Sequence, residues 1–264
     1  MLTITQINKS STLQILNTLR KDVIKHVFAY YDLQHEPEHT TVYAAYESNK
    51  QLKGYILIYT ALDWTSVILE SDEEAAEKLI IHAPENHFVT HTSPNLLSIV
   101  KSRFPNEKHY VEDWMTIKKR ETKPIKTENT RKLQTKTDAK KLARLLSTRK
   151  DRKNTDTNKH FEMITKHPTF GVFINNKLVA YAGSFIQLPQ VWMIGGVYTN
   201  PAYRNKGYAT QATFAITREA LTNAETAALF VRSDNYPAIK AYEKIGYKKI
   251  GEKLWIDVGT GLKP

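Results

Sequence analysis

Apolar positions along the chain recur with two different periods, and the alternation between them predicts the elements. In the first half, Leu13, Leu16, Leu19, Val23 and Val27 recur at helical spacing. The runs TVYAAY, KGYILIY and TSVILE follow and read as strands. A helix from about Asp72 to Leu79, the strand HFVTH, the helix PNLLSIVKSRF and a strand around DWMTIKK complete this half. Residues 118–130, KKRETKPIKTENT, are polar, contain a proline and lack apolar periodicity, which predicts a connector. Beyond it the pattern predicts a strand at RKLQT, helices at DAKKLARLLS and NKHFEMITK, and strands at Thr169 to Ile174, KLVAYAGSFI and VWMIGGVYT. A helix from near Gly207, the strand AALFVRS, the helix PAIKAYEKI and two closing strands, YKKIG and KLWIDV, end the chain.

The order of elements after the connector repeats the order before it. PNLLSIVKSRFP can be laid on PAIKAYEKIGY, and DWMTI on LWIDV. A period this long with only two copies points to duplication of a whole domain rather than to a solenoid. The expected organisation is a first domain at 1–120, a linker at 121–130 and a second domain at 131–264, each mixing helices with strands.

Composition narrows the picture. A chain of 264 residues with 41% hydrophobic and 25% charged residues has the make-up of a soluble globular protein of one large or two modest domains. No apolar stretch approaches the roughly 20 residues that cross a bilayer. The opening MLTITQINKSSTLQILNTLRK lacks the features of a secretory signal, so the expected location is cytoplasmic. The absence of cysteine excludes disulfides, thiolate metal sites and an acyl-cysteine intermediate. A net charge of +11 favours polyanionic partners in general: nucleic acid, a phosphorylated cofactor or an acidic protein.

The candidate chemistry sits in NPAYRNKGYATQ, residues 200–211, directly after the apolar run VWMIGGVYT. Strand, basic bend, glycine and helix make an arrangement that holds phosphate, because the unpaired amides of a helix's first turn and its macrodipole both favour an anion. Gly207 permits a backbone conformation closed to other residues, and Arg204 and Lys206 add positive charge. Ala209, Ala212, Ile216 and Ala220 then line one face of the helix. The bend matches neither a nucleotide P-loop nor a dinucleotide fingerprint, so ATP and NAD are poor candidates.

Residues 131–264 resemble the GNAT family of acetyl-CoA-dependent N-acetyltransferases. The run Arg204-Asn205-Lys206-Gly207-Tyr208-Ala209 is similar to the family's Gln/Arg-x-x-Gly-x-Gly/Ala pyrophosphate loop, entered through VYTNPAYR. Asn235, Ala238, Tyr242 and Gly246-Tyr247 are similar to its second recurring stretch. The resemblance implies an α/β fold with a mixed sheet, in two tandem copies, and acetyl-CoA as the acyl donor. It implies that main-chain groups of Gly196, Val197 and Tyr198 run along the pantetheine arm. Arg204, Asn205, Lys206, Gly207, Tyr208, Ala209 and Thr210 surround the pyrophosphate, and Asn235 counts among the cofactor-binding residues. No metal is required. An amine attacks the thioester directly, the amide of Val197 or Tyr198 stabilises the oxyanion, and Tyr242 is the general acid that protonates the leaving thiolate. The spacing of Ala238, Tyr242 and Ile245 also suits a purely packing role for this tyrosine.

The family's glutamate on the strand before the loop has no counterpart, since VWMIGGVYT contains neither carboxylate nor histidine. Glu162, His160 and Asp234 stand as alternatives for a base acting through water, beside an amine that arrives neutral. In the first half the equivalent of the loop is acidic, with Glu70, Asp72, Glu73 and Glu74 and no glycine, and Ile99 falls where Tyr242 stands. One active site, in the second half, is therefore expected. HEPEH, residues 35–39, satisfies the H-E-x-x-H expression, yet Pro37 is incompatible with the helix that such a zinc site needs. His82, His87 and His91 lack acidic or cysteine companions at a useful spacing.

The basic run at 147–160 falls between two helices where an acceptor, an amine-bearing molecule of unknown identity, can be lined. The competing reading is a basic module on this scaffold that binds RNA or another polyanion, or a CoA-liganded regulator. It is disfavoured by the lack of any RRM, KH or helix-turn-helix signature.

Overall fold

The structure, a computed structural model, describes residues 2–149 and 156–262. The basic run at 147–160 therefore lies partly outside the described residues. The chain divides into two compact units, residues 1–113 with 251–264, and residues 114–250.

In the first unit, β1 (Thr3–Gln6) leads to α1 (Thr12–Leu19) and α2 (Val27–His35). Three antiparallel strands follow, β2 (Thr40–Tyr46), β3 (Leu52–Tyr59) and β4 (Thr65–Ser71), then α3 (Glu73–Leu79), β5 (Phe88–Thr92), α4 (Leu97–Arg103) and β6 (Lys108–Lys118). The division between units falls within β6. The expected single N-terminal helix is two helices joined by a 3-10 turn at Arg20–Asp22, and β1 had no clear signal. Ile15, Leu19, Val23 and Val27 face the core, whereas Leu13 is 73% exposed. The break at 20–22 reorients the second stretch, so one unbroken period does not describe both.

In the second unit, β7 (Thr130–Lys132) precedes α5 (Lys136–Leu146), α6 (Thr157–Lys166), β8 (Thr169–Ile174), β9 (Lys177–Gln187) and β10 (Val191–Thr199). Then come α7 (Tyr208–Asn223), β11 (Thr226–Arg232), α8 (Tyr236–Ile245) and the start of β12 (Lys248–Val258), whose residues from Gly251 onward belong to the first unit. Pairing repeats between the units. β1 to β4 are successively antiparallel and β4 pairs with β5 in parallel; β7 to β10 are successively antiparallel and β10 pairs with β11 in parallel. The mixed sheet is the one the sequence led us to expect, and it is built twice.

The unit bounds differ from those read off the sequence. The expected pair of closing strands is one strand, β12, and its Leu254–Val258 portion, itself part of the first unit, pairs antiparallel with β5 there. Residues 118–130 are an ordered strap of the second unit rather than a loose connector. Glu121 accepts from the Lys118 amide at 2.8 Å and from Lys248 Nζ at 2.8 Å, while the Lys123 amide donates to the Ile245 carbonyl at 2.8 Å. Ile125 packs on the core. Polar letters concealed this because the strap is held mainly by main-chain and charged groups. No described helix is long and apolar enough to cross a membrane.

Two packed layers position the second unit's sheet. One face meets α7 and α8 through Ile194, Leu229, Val231, Ala212, Ile216 and Ile245. The other meets α5 and α6 through Leu133, Leu142, Leu145, Ile164 and Leu178. A capping box starts α5: Thr135 Oγ1 accepts from the Asp138 amide, and Asp138 accepts from the Thr135 amide, both at 3.1 Å. Asp138 is also gripped by Arg131 through two bonds of 2.6 and 3.1 Å. Burial alone raises the pKa of this carboxyl, but the bonds from Arg131, Gln134 and Thr135 outweigh it and hold the group well below the usual carboxylate range.

Because its folded-state pKa is depressed, Asp138 contributes stability that is present above an unfolded value of about 4 and is lost as pH falls below it. We expect Asp138→Asn to cost about 1–3 kcal/mol at neutral pH. In urea unfolding the difference between wild type and variant should start to shrink below about pH 4 and go on shrinking as pH falls toward the depressed folded-state value; a difference independent of pH contradicts this assignment.

Candidate functional site

The site is built where two parallel strands stop pairing. β10 and β11 are in register only from Val191↔Thr226 to Met193↔Ala228, after which both continue without pairing to one another. On its other side β10 stays bonded to β9, but the register shifts between Gly195 and Tyr198. Gly196, at φ +64°, sits in this bulge, and a first register shift, between Met193 and Ile194, falls where the pairing with β11 ends. The backbone of β10 beyond Met193 thus presents an unfilled edge on the β11 side, along which Gly196, Val197 and Tyr198 lie. The Tyr198 side chain turns to the α5 layer, its hydroxyl 2.9 Å from Thr148 Oγ1.

At the end of β10 the chain turns sharply. Asn200 accepts from the Ala202 amide at 3.0 Å and fixes a 3-10 turn at Pro201–Tyr203. Asn205 then takes φ +61° and Gly207 φ +75°, both left-handed, before α7 begins. Alternation of this kind turns successive amides toward one side and makes a concave anion seat. Among the described residues, the amides of Asn205, Lys206, Gly207, Tyr208, Ala209 and Thr210 donate to no protein acceptor, and Gly207 supplies no side-chain cap. A Cβ added at Gly207 meets nothing within 4 Å, so the space before these amides is open. Arg204 and Lys206 are exposed beside it, resting near the rings of Tyr198 and Tyr203 at 6.0 and 5.8 Å from their centres.

Asn235 caps α8, accepting from the Ala238 amide at 3.4 Å. Tyr242, on α8, is 6% exposed and belongs to the core that includes Ile194, Leu229 and Val231, with Val197 and Tyr208 packed against it. Its ring lies edge-on to Tyr247, centres 6.1 Å apart. Burial pushes its phenol up to about 12, so the hydroxyl keeps its proton throughout the physiological range. Beneath it, the Tyr247 hydroxyl pairs with Thr217 at 2.8 Å. Gly246, at φ +119°, ends α8; a Cβ there would stand 2.3 Å from the Glu121 carbonyl oxygen. The strap and α8 are therefore locked at this corner.

Of the alternatives for a base, Asp234 is exposed and forked with Arg232 at 2.9 and 2.5 Å; the hydrogen bond from Arg232 lowers its pKa and weakens it as a base. His160 is buried and Glu162 exposed, both on α6.

The first unit lacks the corresponding features. β4 and β5 stay paired through five positions, from Thr65↔Phe88 to Leu69↔Thr92. No turn separates β4 from α3: Asp72 caps the helix directly, accepting from the Ala75 amide at 2.9 Å, and so takes up an amide that an anion would need. Glu70 does not face this turn as expected. It is buried and ion-paired with Lys253, which also donates to the Lys25 carbonyl. His91 does have an acidic companion: Glu112 lies 3.2 Å away, contributed by β6 and invisible to local spacing. In HEPEH, α2 ends at His35 and Pro37 begins a separate turn. Glu36, Glu38 and His39 bring ligand atoms within 4.8 Å of one another on the surface, and His35 is outside the group.

Residues 139–247 match the sequence model of the acetyltransferase (GNAT) family. The chain carries a GNAT acetyltransferase domain. Solved structures with the same fold include a Drosophila protein (14% identity, TM-score 0.73, covering 97% of this chain and 98% of that one). A GNAT-family acetyltransferase from Colwellia psychrerythraea aligns at 14% identity and TM-score 0.62 over 97% and 99% of the two chains. A tandem GNAT protein from the clavulanic acid biosynthesis pathway aligns at 10% identity and TM-score 0.61 over the whole of both. No curated protein matches by sequence. At these identities the structures report fold alone, and the family match identifies the GNAT domain with acyl transfer in general.

What the sequence missed in the GNAT domain is the bulge at Gly196 and the left-handed Asn205. The paired glycines within VWMIGGVYT were a readable sign of the bulge. Two positive-φ glycines of the domain differ in the space before them. Gly207→Ala should cost about 1 kcal/mol, from backbone strain alone. Gly246→Ala adds overlap with Glu121 and should cost about 3–5 kcal/mol. Equal losses in urea unfolding would show that the open space at Gly207 is not real.

Proposed function

We propose that this protein transfers an acetyl group from acetyl-CoA to a primary amine of a small molecule or protein, at a single site in its second unit. The observation that carries this reading is the run of six consecutive amides, 205–210, without acceptors among the described residues, at a left-handed turn. A diphosphate needs several donors converging from one side, a local positive potential and no carboxylate nearby. The turn offers the amides, the N-terminal end of the sixteen-residue α7, and the side chains of Arg204 and Lys206, and residues 200–211 contain no acid.

The unpaired edge of β10 suits the rest of the donor molecule. An extended chain bearing amides can add to such an edge as a further strand, with Gly196, Val197 and Tyr198 supplying main-chain partners. When bound, acetyl-CoA supplies an activated acyl thioester. The protein's contribution is to orient it, to exclude water with the apolar walls at Val197, Leu229 and Val231, and to offer an amide, that of Val197 or Tyr198, to the carbonyl oxygen as negative charge develops there. Tyr242 holds its proton near pKa 12 and serves as the donor to the departing sulfur. Burial that raises this phenol raises the basicity of a thiolate in the same surroundings, which keeps the transfer balanced. Asn235 contributes by starting the helix that carries Tyr242.

Arg204→Glu and Gly207→Glu should each remove measurable acetyl-CoA binding in calorimetry while circular dichroism stays unchanged; retained affinity would refute the diphosphate seat. Tyr242→Phe should lower kcat by about 100-fold with cofactor affinity within about twofold. An unchanged kcat would return Tyr242 to a packing role.

A further inference from the structure

The second unit holds a cavity of about 550 Å3 that involves neither the turn at 204–210 nor Tyr242. It lies between the strap and the carboxy-terminal half of α7. Phe214, Arg218 and Leu221 fall at i, i+4 and i+7, so they share one face of α7, and Ile125 of the strap closes the opposite side. Phe214 and Leu221 are each 6% exposed and continue into the main core, giving the cavity an apolar floor.

Its charge has one sign. Lys119 and Arg218 both line the cavity and both are exposed, and among the described residues neither is paired with a carboxylate. The Arg218 guanidinium lies 5.9 Å from the centre of the Phe214 ring, poised between the apolar floor and solvent. The two threonines of the wall, Thr122 and Thr222, donate their hydroxyl protons to the Lys119 and Arg218 carbonyls at 2.9 Å each. The donors left for a ligand are therefore the two cations.

A space of several hundred Å3 with apolar walls and a few convergent polar groups is the usual form of a small-molecule site. We infer that this cavity binds a small organic anion, a carboxylate on an aromatic or branched apolar body, with the body on Phe214, Leu221 and Ile125 and the carboxylate between Lys119 and Arg218. Guanidinium and ammonium select the carboxylate, and the floor selects the body. A neutral analogue forgoes the first interaction and a cationic one is repelled. An occupant also braces the strap, which is bonded to the end of α8 through Lys123 and to Lys248 of β12 through Glu121.

The test uses the full chain and 2-naphthoate as the probe, by calorimetry with and without saturating coenzyme A. Saturable binding is expected, at or below about millimolar Kd, with the same affinity in both conditions. The double variant Lys119→Glu/Arg218→Glu should weaken it by at least about tenfold, as should replacing the probe by 2-naphthylmethylammonium. Leu221→Trp, which fills the floor, should abolish it while the far-ultraviolet circular dichroism is unchanged. The inference is overturned by absence of binding, by equal affinity for the cationic analogue, by indifference to the double variant or by displacement with coenzyme A. Failure of coenzyme A itself to bind, with naphthoate still bound, would count against the acetyl-transfer reading and leave this one standing.

Discussion

The parting of β10 from β11 after three paired residues is the constraint on which the site depends. Buried main-chain groups are costly to leave unmatched, so a parallel sheet normally keeps its strands bonded to their ends. Here β10 breaks register with β9 twice, between Met193 and Ile194, where its pairing with β11 ends, and again around Gly196. The same stretch delivers the chain to Asn200 at an angle from which the left-handed turn at Asn205 and Gly207 can present its amides together. Remove the parting and the turn still exists, but the extended molecule whose diphosphate it would hold has nowhere to lie.

The first unit shows what the same order of elements does without that parting. β4 and β5 remain paired to Leu69 and Thr92, and Asp72 satisfies the amide at the head of α3. The carboxylate that follows the last pair, Glu70, is neutralised internally by Lys253 from the end of the chain. These choices close the strand gap, fill the helix terminus and replace an anion seat with an ion pair. Each is a local alternative to the open strand edge and turn of the second unit, and together they give a unit that repeats the architecture without the features on which the proposed site rests.

Most elements could be read from the sequence because their periods are strong. Thr169–Ile174 and Val191–Thr199 have the bounds that the alternation of apolar residues suggested. The basic bend and glycine before α7 were legible for a similar reason, since left-handed backbone at a helix start leaves few residue choices. Other features depend on contacts that no local window contains. Glu70 meets Lys253 across 183 positions, and His91 of β5 meets Glu112 of β6 across the intervening α4. The strap at 118–130 looked like a connector because it is anchored by amides and by Glu121, and only the corner at Gly246 reveals why it must be ordered. Leu13 matched a helical period and is nonetheless exposed, because α1 turns the face of Ile15 and Leu19 to the core and Leu13 lies on the other side.

Hydrogen–deuterium exchange of the backbone with and without acetyl-CoA tests the central claim most directly, since it reads the amides themselves. The amides of residues 205–210, which have no acceptors among the described residues, should exchange rapidly in the free protein and become protected on addition of the cofactor, together with those of residues 196–198. Binding of acetyl-CoA with no change in exchange at 205–210 would contradict the account.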